Sequence, residues 1–152
     1  MKTFKEKVAV ITGAGSGMGR YLAVLLAKDG ADVCICDVNQ ETLDETAEML
    51  RKYNVSVSSH LLDVSDKESI ESLPQKVIDH HGKIDLVFNN AGVTTGSHFK
   101  DMEEENWNWV MGINFDGVIN STRAFIPHMI DRPEAAIVNT SSIFGMVAVP
   151  GQ

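Results

Sequence analysis

Between Thr12 and Gly19 the chain sets glycines at 13, 15, 17 and 19, straight after the apolar run Val8-Ala9-Val10-Ile11 and straight before a helix start. Lacking a Cβ, glycine lets a backbone turn sharply and approach a ligand closely. The free N–H groups of the helix that follows, with the positive end of its dipole, suit a pyrophosphate. Gly13, Ser16, Gly17, Met18 and Gly19 are therefore candidate nucleotide-binding residues. The spacing is TGxxxGxG and not GxGxxG, because Met18 and Arg20 stand where a last glycine of the latter would fall. Taken alone, the motif also admits an ordinary glycine-rich turn.

Asp37 comes 18 residues after Gly19, at the end of a second apolar run, DVCICD. A carboxylate there can accept both hydroxyls of an adenosine ribose and repels a 2′-phosphate. Ser16 and Val38 offer no cation to pair with that phosphate. NAD is thus expected over NADP, the alternative being a surface Asp at a strand end.

Alternating strand and helix signals must position these groups. Strands are expected at Val8–Thr12, Asp32–Asp37, Val55–Leu62, Ile84–Phe88 and Ala135–Ser141. The first helix, Met18–Lys28, ends at Gly30, and Asn39 caps the second over an apolar stripe of Leu43, Ala47 and Leu50. Ser65-Asp66-Lys67-Glu68 reads as a capping box for a helix that Gly82 stops, with a kink or 3₁₀ turn expected at Pro74. Glu103–Ile130 reads as one long or two-part helix. Five such alternations with right-handed crossovers predict an α/β fold: a Rossmann-like doubly wound parallel sheet in the order 3-2-1-4-5. Ligand then sits outside the carboxyl ends of the first and fourth strands, where Thr12–Gly19, Asp37, Asp63, Asn89-Asn90-Ala91-Gly92 and Ser141-Ser142 collect.

The 152 residues suit one domain of ordinary composition. A net charge of −8 repels nucleic acid and anionic membrane. No signal peptide or long apolar run is evident, so a cytoplasmic location and no membrane partner are expected. Cys34 and Cys36 read as buried reduced thiols on one strand face. His60, His80, His81, His98 and His128 have no ligand spacing, and no metal site is expected. Trp107 and Trp109 stand about 200° apart around a helix and cannot both face a core.

Thr12–Gly19, Asp63-Val64, Asn89–Gly92, Asn114 in MGINFDG and IVNTSS ending at Ser142 match, in order and spacing, the pattern of the short-chain dehydrogenase/reductase family, which this chain resembles over its full length. The resemblance implies that Asp63 and Val64 meet the adenine and that Asn90, Ala91 and Gly92 line the cofactor. It implies that Asn114 supports a water-linked proton relay and that Ser142 hydrogen-bonds the reacting carbonyl or hydroxyl. Read by residue alone, Asn89 and Asn90 serve equally as turn formers and Ser141 or Ser142 as a helix cap.

One departure counts as much as the match. The family's Tyr-x-x-x-Lys, its acid/base pair, is absent: Tyr21 and Tyr53 are followed four residues on by Leu25 and Val57. Ser142 is followed by ten residues, and Phe144–Gln152 resembles the loop that precedes that Tyr. The expectation is an incomplete NAD-binding domain, truncated before the last strands and inactive by itself. Its parent would be an NAD-dependent oxidoreductase interconverting an alcohol and a ketone or aldehyde, and a homo-oligomer, dimer or tetramer. The alternative is a non-catalytic NAD-binding module or redox sensor. Val93–His98 and Ile143–Ala148 would form one wall of the substrate pocket, and Phe144, Met146 and Val147 in it favour an apolar alcohol or ketone.

Overall fold

Val8–Thr12 forms β1 with all five side chains buried, as a central parallel strand covered on both faces requires. The computed structural model describes residues 3–147; Ala148, expected in the substrate wall, and the end of the Phe144–Gln152 loop lie outside them. In chain order follow α1 (Gly17–Lys28), β2 (Asp32–Asp37), α2 (Gln40–Leu50), β3 (Val57–Leu61), α3 (Lys67–His81), β4 (Leu86–Asn89), α4 (Glu104–Met111), α5 (Gly117–Met129) and β5 (Ala136–Asn139). The sheet is parallel in the order β3-β2-β1-β4-β5, as expected.

Strand alternation divides the core in two. Val8, Val10, Cys34, Cys36 and Val87 face Ile70, Leu73 and Val77 of α3 and Phe125 and Met129 of α5. Ala9, Ile11, Val33 and Ile35 face Ala23, Leu26 and Ala27 of α1 and Leu43 and Leu50 of α2. The two thiols are free, with sulfurs 4.0 Å apart in the first of these layers.

Several local expectations change. The strands after β2 are shorter than their apolar runs; at β3 the Ser56 N–H goes to Asp32 Oδ1 (2.7 Å) and not into a ladder. Asp29 takes the end of α1, and Gly30 follows it at φ +87°. Asp66, not Ser65, caps α3: its carboxylate accepts the N–H groups of Glu68 (3.1 Å) and Ser69 (3.4 Å), while the Ser65 hydroxyl donates to Asp63 Oδ1 (2.7 Å). The Ser69 hydroxyl and N–H hold the Asp66 carboxyl below its usual range. Pro74 produces no 3₁₀ turn, since α3 stays α-helical from Lys67 to His81 with Leu73, Pro74 and Val77 buried. Neither Trp107 nor Trp109 reaches the core, because α4 buries none of its residues.

At the amino ends of the strands, buried Asp85 ties three elements together. It accepts the Val8 N–H (2.9 Å) and Arg132 Nη2 (2.6 Å), and its own backbone O accepts the Ala136 N–H (3.0 Å). Burial opposes its charge, but the Val8 and Arg132 bonds win and keep its carboxyl below the ordinary range. Among the described residues β5 is one edge of the sheet and β3 the other, and Val138 of β5 is 45% exposed. No helix among the described residues is long and apolar enough to cross a membrane.

Candidate nucleotide site at the carboxyl ends of the strands

The first and fourth strands are stitched together where the winding of the sheet reverses. Thr12 Oγ1, ending β1, accepts the N–H groups of Asn90 and Ala91, both at 3.1 Å. The Asn90 amide donates back to Thr12 O (3.1 Å) and Gly13 O (3.3 Å). Asn89 faces the other way, donating to Asn139 Oδ1 (2.8 Å) on β5 and accepting the Ser121 hydroxyl (2.6 Å) of α5. Both asparagines therefore do more than turn the chain: they join strand ends across the crevice where open α/β sheets hold ligands.

Within that crevice is a cleft of about 360 Å³. Gly13, Ser16, Gly17, Met18, Asp37, Asp63, Val64, Asn90, Ala91 and Gly92 line it, together with Val38, Leu62, Val93 and Ile113. Gly19 stands behind it: a Cβ there would run into Gly13 O and meet Asn90 Nδ2 at 2.6 Å, so its bareness serves the packing of the turn. Gly13, at φ +65°, would put a Cβ 2.8 Å from Ala91 Cα.

The start of α1 is open to an anion. Ser16 makes no side-chain cap and the first turn carries no acid, so helix geometry leaves the N–H groups of Gly17, Met18 and Gly19 without intrahelical acceptors. At φ +50°, Gly17 has nothing within 4 Å of where a Cβ would stand. Among the described residues the lining side chains include two carboxylates, Asp37 and Asp63, and no Lys or Arg.

Both carboxylates are held. Asp37 Oδ2 accepts the Gly15 N–H (2.8 Å) and Oδ1 the Asn39 N–H (3.0 Å). Asp63 Oδ1 accepts the N–H (2.8 Å) and hydroxyl (2.7 Å) of Ser65. The Gly15 bond to Asp37 went unread in the sequence, although the glycine itself did not. Its reason is closeness: a Cβ on Gly15 would lie 2.7 Å from Asp37 Cγ and 2.5 Å from Thr42 Oγ1.

Asn114 and Ser142 lie outside the lining. Asn114 sits in a π-helical turn, Gly112–Asp116, that joins α4 to α5, with the Gly117 N–H bonded to Gly112 O. Such turns recur at functional sites. Its side chain brackets one residue beyond the Asn90 turn: Oδ1 accepts the Val93 N–H and Nδ2 donates to Val93 O, both at 2.8 Å. Ser142 follows β5, exposed, and its Oγ accepts the Phe144 N–H (3.2 Å) at the start of a 3₁₀ turn, Ile143–Gly145. Among the described residues no three of His, Cys, Asp and Glu converge in a metal-binding group.

The family model of the short chain dehydrogenases matches residues 7–152. The 3-oxoacyl-acyl-carrier-protein reductase FabG of Thermotoga maritima is 38% identical over 96% of the chain and 59% of its own length. A provisionally assigned oxidoreductase of Mycobacterium tuberculosis, SadH, is 41% identical over all of the chain and 55% of its own length. Among solved structures, a short chain dehydrogenase/reductase of Burkholderia phymatum in complex with NAD superposes with a TM-score of 0.95 at 39% identity, over 99% of this chain and 54% of that one. The chain thus spans little more than half the length of these relatives.

Proposed function

The chain belongs to the short chain dehydrogenases, and from that premise we propose that its cleft binds NAD for an oxidoreductase that interconverts an alcohol and a ketone or aldehyde. The observation that carries the reading is the doubly held Asp37 carboxylate in a cleft whose lining, among the described residues, contains no cation. A ribose with two free hydroxyls can donate to that carboxylate, whereas a 2′-phosphate meets repulsion and no counter-charge. The uncapped start of α1 suits the pyrophosphate, and Asp63 with Val64 suits the adenine. When bound, the nicotinamide supplies hydride transfer to or from the substrate carbon.

The chain's own residues have the remaining tasks. The Ser142 oxygen accepts the Phe144 N–H, which leaves its proton free to donate to a substrate oxygen and polarise it. Asn114 holds the chain at Val93, next to the cofactor-lining Gly92, and belongs to a proton relay. A purely nucleotide-sensing module gives Asn114 and Ser142 no chemical task. Turnover is assigned to the whole protein, since the 152 residues hold no Tyr-x-x-x-Lys, and this chain alone is expected to bind nucleotide without turning over. A homo-oligomer and an apolar substrate complete the reading, the latter on Phe144, Met146 and Val147, all exposed.

Calorimetric titration of the chain with NADH and NADPH tests it. Binding of NADH with little or none of NADPH is expected; equal affinity, or no binding of either, rejects it.

A further inference from the structure

We propose that Arg20 and Thr46, neither of which lines the cleft, are positioning residues for the Asp37 carboxylate and thereby set the preference between NAD and NADP; this rests on the reading of the cleft as an NAD site. Asp37 can discriminate only if its oxygens point at the ribose, and its Oδ2 is aimed by the Gly15 N–H at 2.8 Å. That N–H belongs to the peptide between Ala14 and Gly15. The carbonyl of the same peptide, Ala14 O, lies 3.0 Å from the Thr46 hydroxyl. The peptide is therefore gripped at both ends, by Thr46 of α2 at its oxygen and by Asp37 of β2 at its nitrogen.

Thr46 is fully buried, and its hydroxyl has one proton for three carbonyls within reach: Ala14 O and Thr42 O at 3.0 Å and Gly15 O at 3.4 Å. Left to itself, a helical threonine bonds the carbonyl four residues back, here Thr42. Arg20 changes that choice. Its Nε donates to Thr46 Oγ1 at 2.9 Å, while its Nη2 reaches Thr42 O (3.1 Å) and Gly15 O. The two Nη2 protons are shared among Thr42 O, Gly15 O and Glu45, which lessens the pull of those two carbonyls on the Thr46 proton and turns it toward Ala14 O. Glu45, 2.8 Å from Nη2, balances the charge and keeps Arg20 from serving as a partner for a 2′-phosphate.

Relaxing this relay frees the Ala14–Gly15 peptide of the turn and leaves the start of α1 with its N–H groups, so the pyrophosphate grip, common to both nucleotides, persists. What weakens is the bond between the ribose hydroxyls and Asp37, which only NAD makes. A general loosening of the fold would lower both affinities together, and a relay that aims Asp37 changes their ratio.

The test is NADH and NADPH affinity, by fluorescence titration, for the wild-type chain, Thr46→Val, Thr46→Ser, Arg20→Gln and Asp37→Ala. Thr46→Val and Arg20→Gln are expected to cut NADH affinity about tenfold with NADPH little changed, Thr46→Ser to keep the wild-type ratio, and Thr46→Val added to Asp37→Ala to have no further effect on it. Should Thr46→Val fail to fold, Arg20→Gln, on a part-exposed side chain, carries the same reading. Wild-type preference for NADH with an unchanged ratio in the variants overturns the relay alone. Wild-type binding of neither nucleotide overturns the NAD site and the relay with it.

Discussion

Asn114 pairs with both backbone polar groups of Val93, accepting its N–H and donating to its C=O at 2.8 Å each, so one side chain ties the π-helical turn to the segment after β4. Each of these bonds contributes about 1 kcal/mol net, and a leucine can make neither. Asn114→Leu should therefore expose the Val93 amide to hydrogen exchange while the amides of β1 stay protected. Equal protection of Val93 in the variant would mean that the tie is not what orders this segment.

Cofactor choice is expected to hang on Asp37. In the whole protein, kcat/KM with NAD should exceed that with NADP at least tenfold, about 1.4 kcal/mol in transition-state binding. Asp37→Ala removes the acceptor of the Gly15 and Asn39 N–H groups along with the charge, and should narrow that gap. Equal values for the two cofactors in the unaltered protein would reject the assignment.

The strands and helices were legible from short-range patterns of apolar runs, caps and glycines, while their order and the collection of polar residues at one set of strand ends followed from the dinucleotide-binding arrangement those patterns point to. Less legible was whatever depends on which of two adjacent groups wins. Ser65 has the right spacing for a capping box, but Asp63 engages its hydroxyl and the Asp66 carboxylate takes the helix N–H groups. Pro74 carries a local penalty in any helix, yet α3 keeps its α form through it, with Leu73, Pro74 and Val77 buried. Long-range grips such as Thr46 on Ala14, 32 residues apart, leave no periodic signal at all.

Gly19→Val should cost nucleotide affinity through the turn itself. The new side chain would strike Gly13 O and displace the Asn90 amide, which bonds Thr12 O and Gly13 O, so the join between β1 and β4 opens beside the cleft. NADH affinity is expected to fall tenfold or more, about 1.4 kcal/mol, in a chain that still unfolds cooperatively. Normal NADH binding by this variant would place the site elsewhere.

Acid should destabilise the chain in two stages. His81, half-buried at the end of α3, is paired with the Ser58 hydroxyl (2.8 Å), and burial, helped by the charges of His80 and His60 and opposed by Asp32, lowers its pKa from 6.5 to about 4. Between those values the unfolded chain holds a proton that the folded chain refuses, so stability is lost as pH falls from 6.5 toward 4. Asp85, depressed by its Val8 and Arg132 bonds, gives up its contribution only at lower pH, as its carboxyl takes a proton. His81→Gln, which keeps a polar partner for Ser58 without titrating, should lose less Tm than wild type between about pH 7 and about pH 5. Parallel losses in the two proteins would shift the acid sensitivity to another group.

Ser142 tests where the chemistry lies. In the proposed reaction, hydride transfer to a carbonyl would leave an alkoxide-like oxygen that needs a donor already in place, and the Ser142 hydroxyl, whose oxygen accepts the Phe144 N–H, would be that donor. It is too weak an acid to supply the proton itself, so in the proposed reaction its contribution would be charge stabilisation in the transition state. In the whole protein Ser142→Ala should cut kcat by about 100-fold, roughly 3 kcal/mol, the usual effect of removing one such donor. NADH affinity should hardly move, since Ser142 lies outside the cleft lining. An alanine variant that loses NADH affinity but keeps kcat would make Ser142 only the cap of its 3₁₀ turn, and would remove it from the reaction.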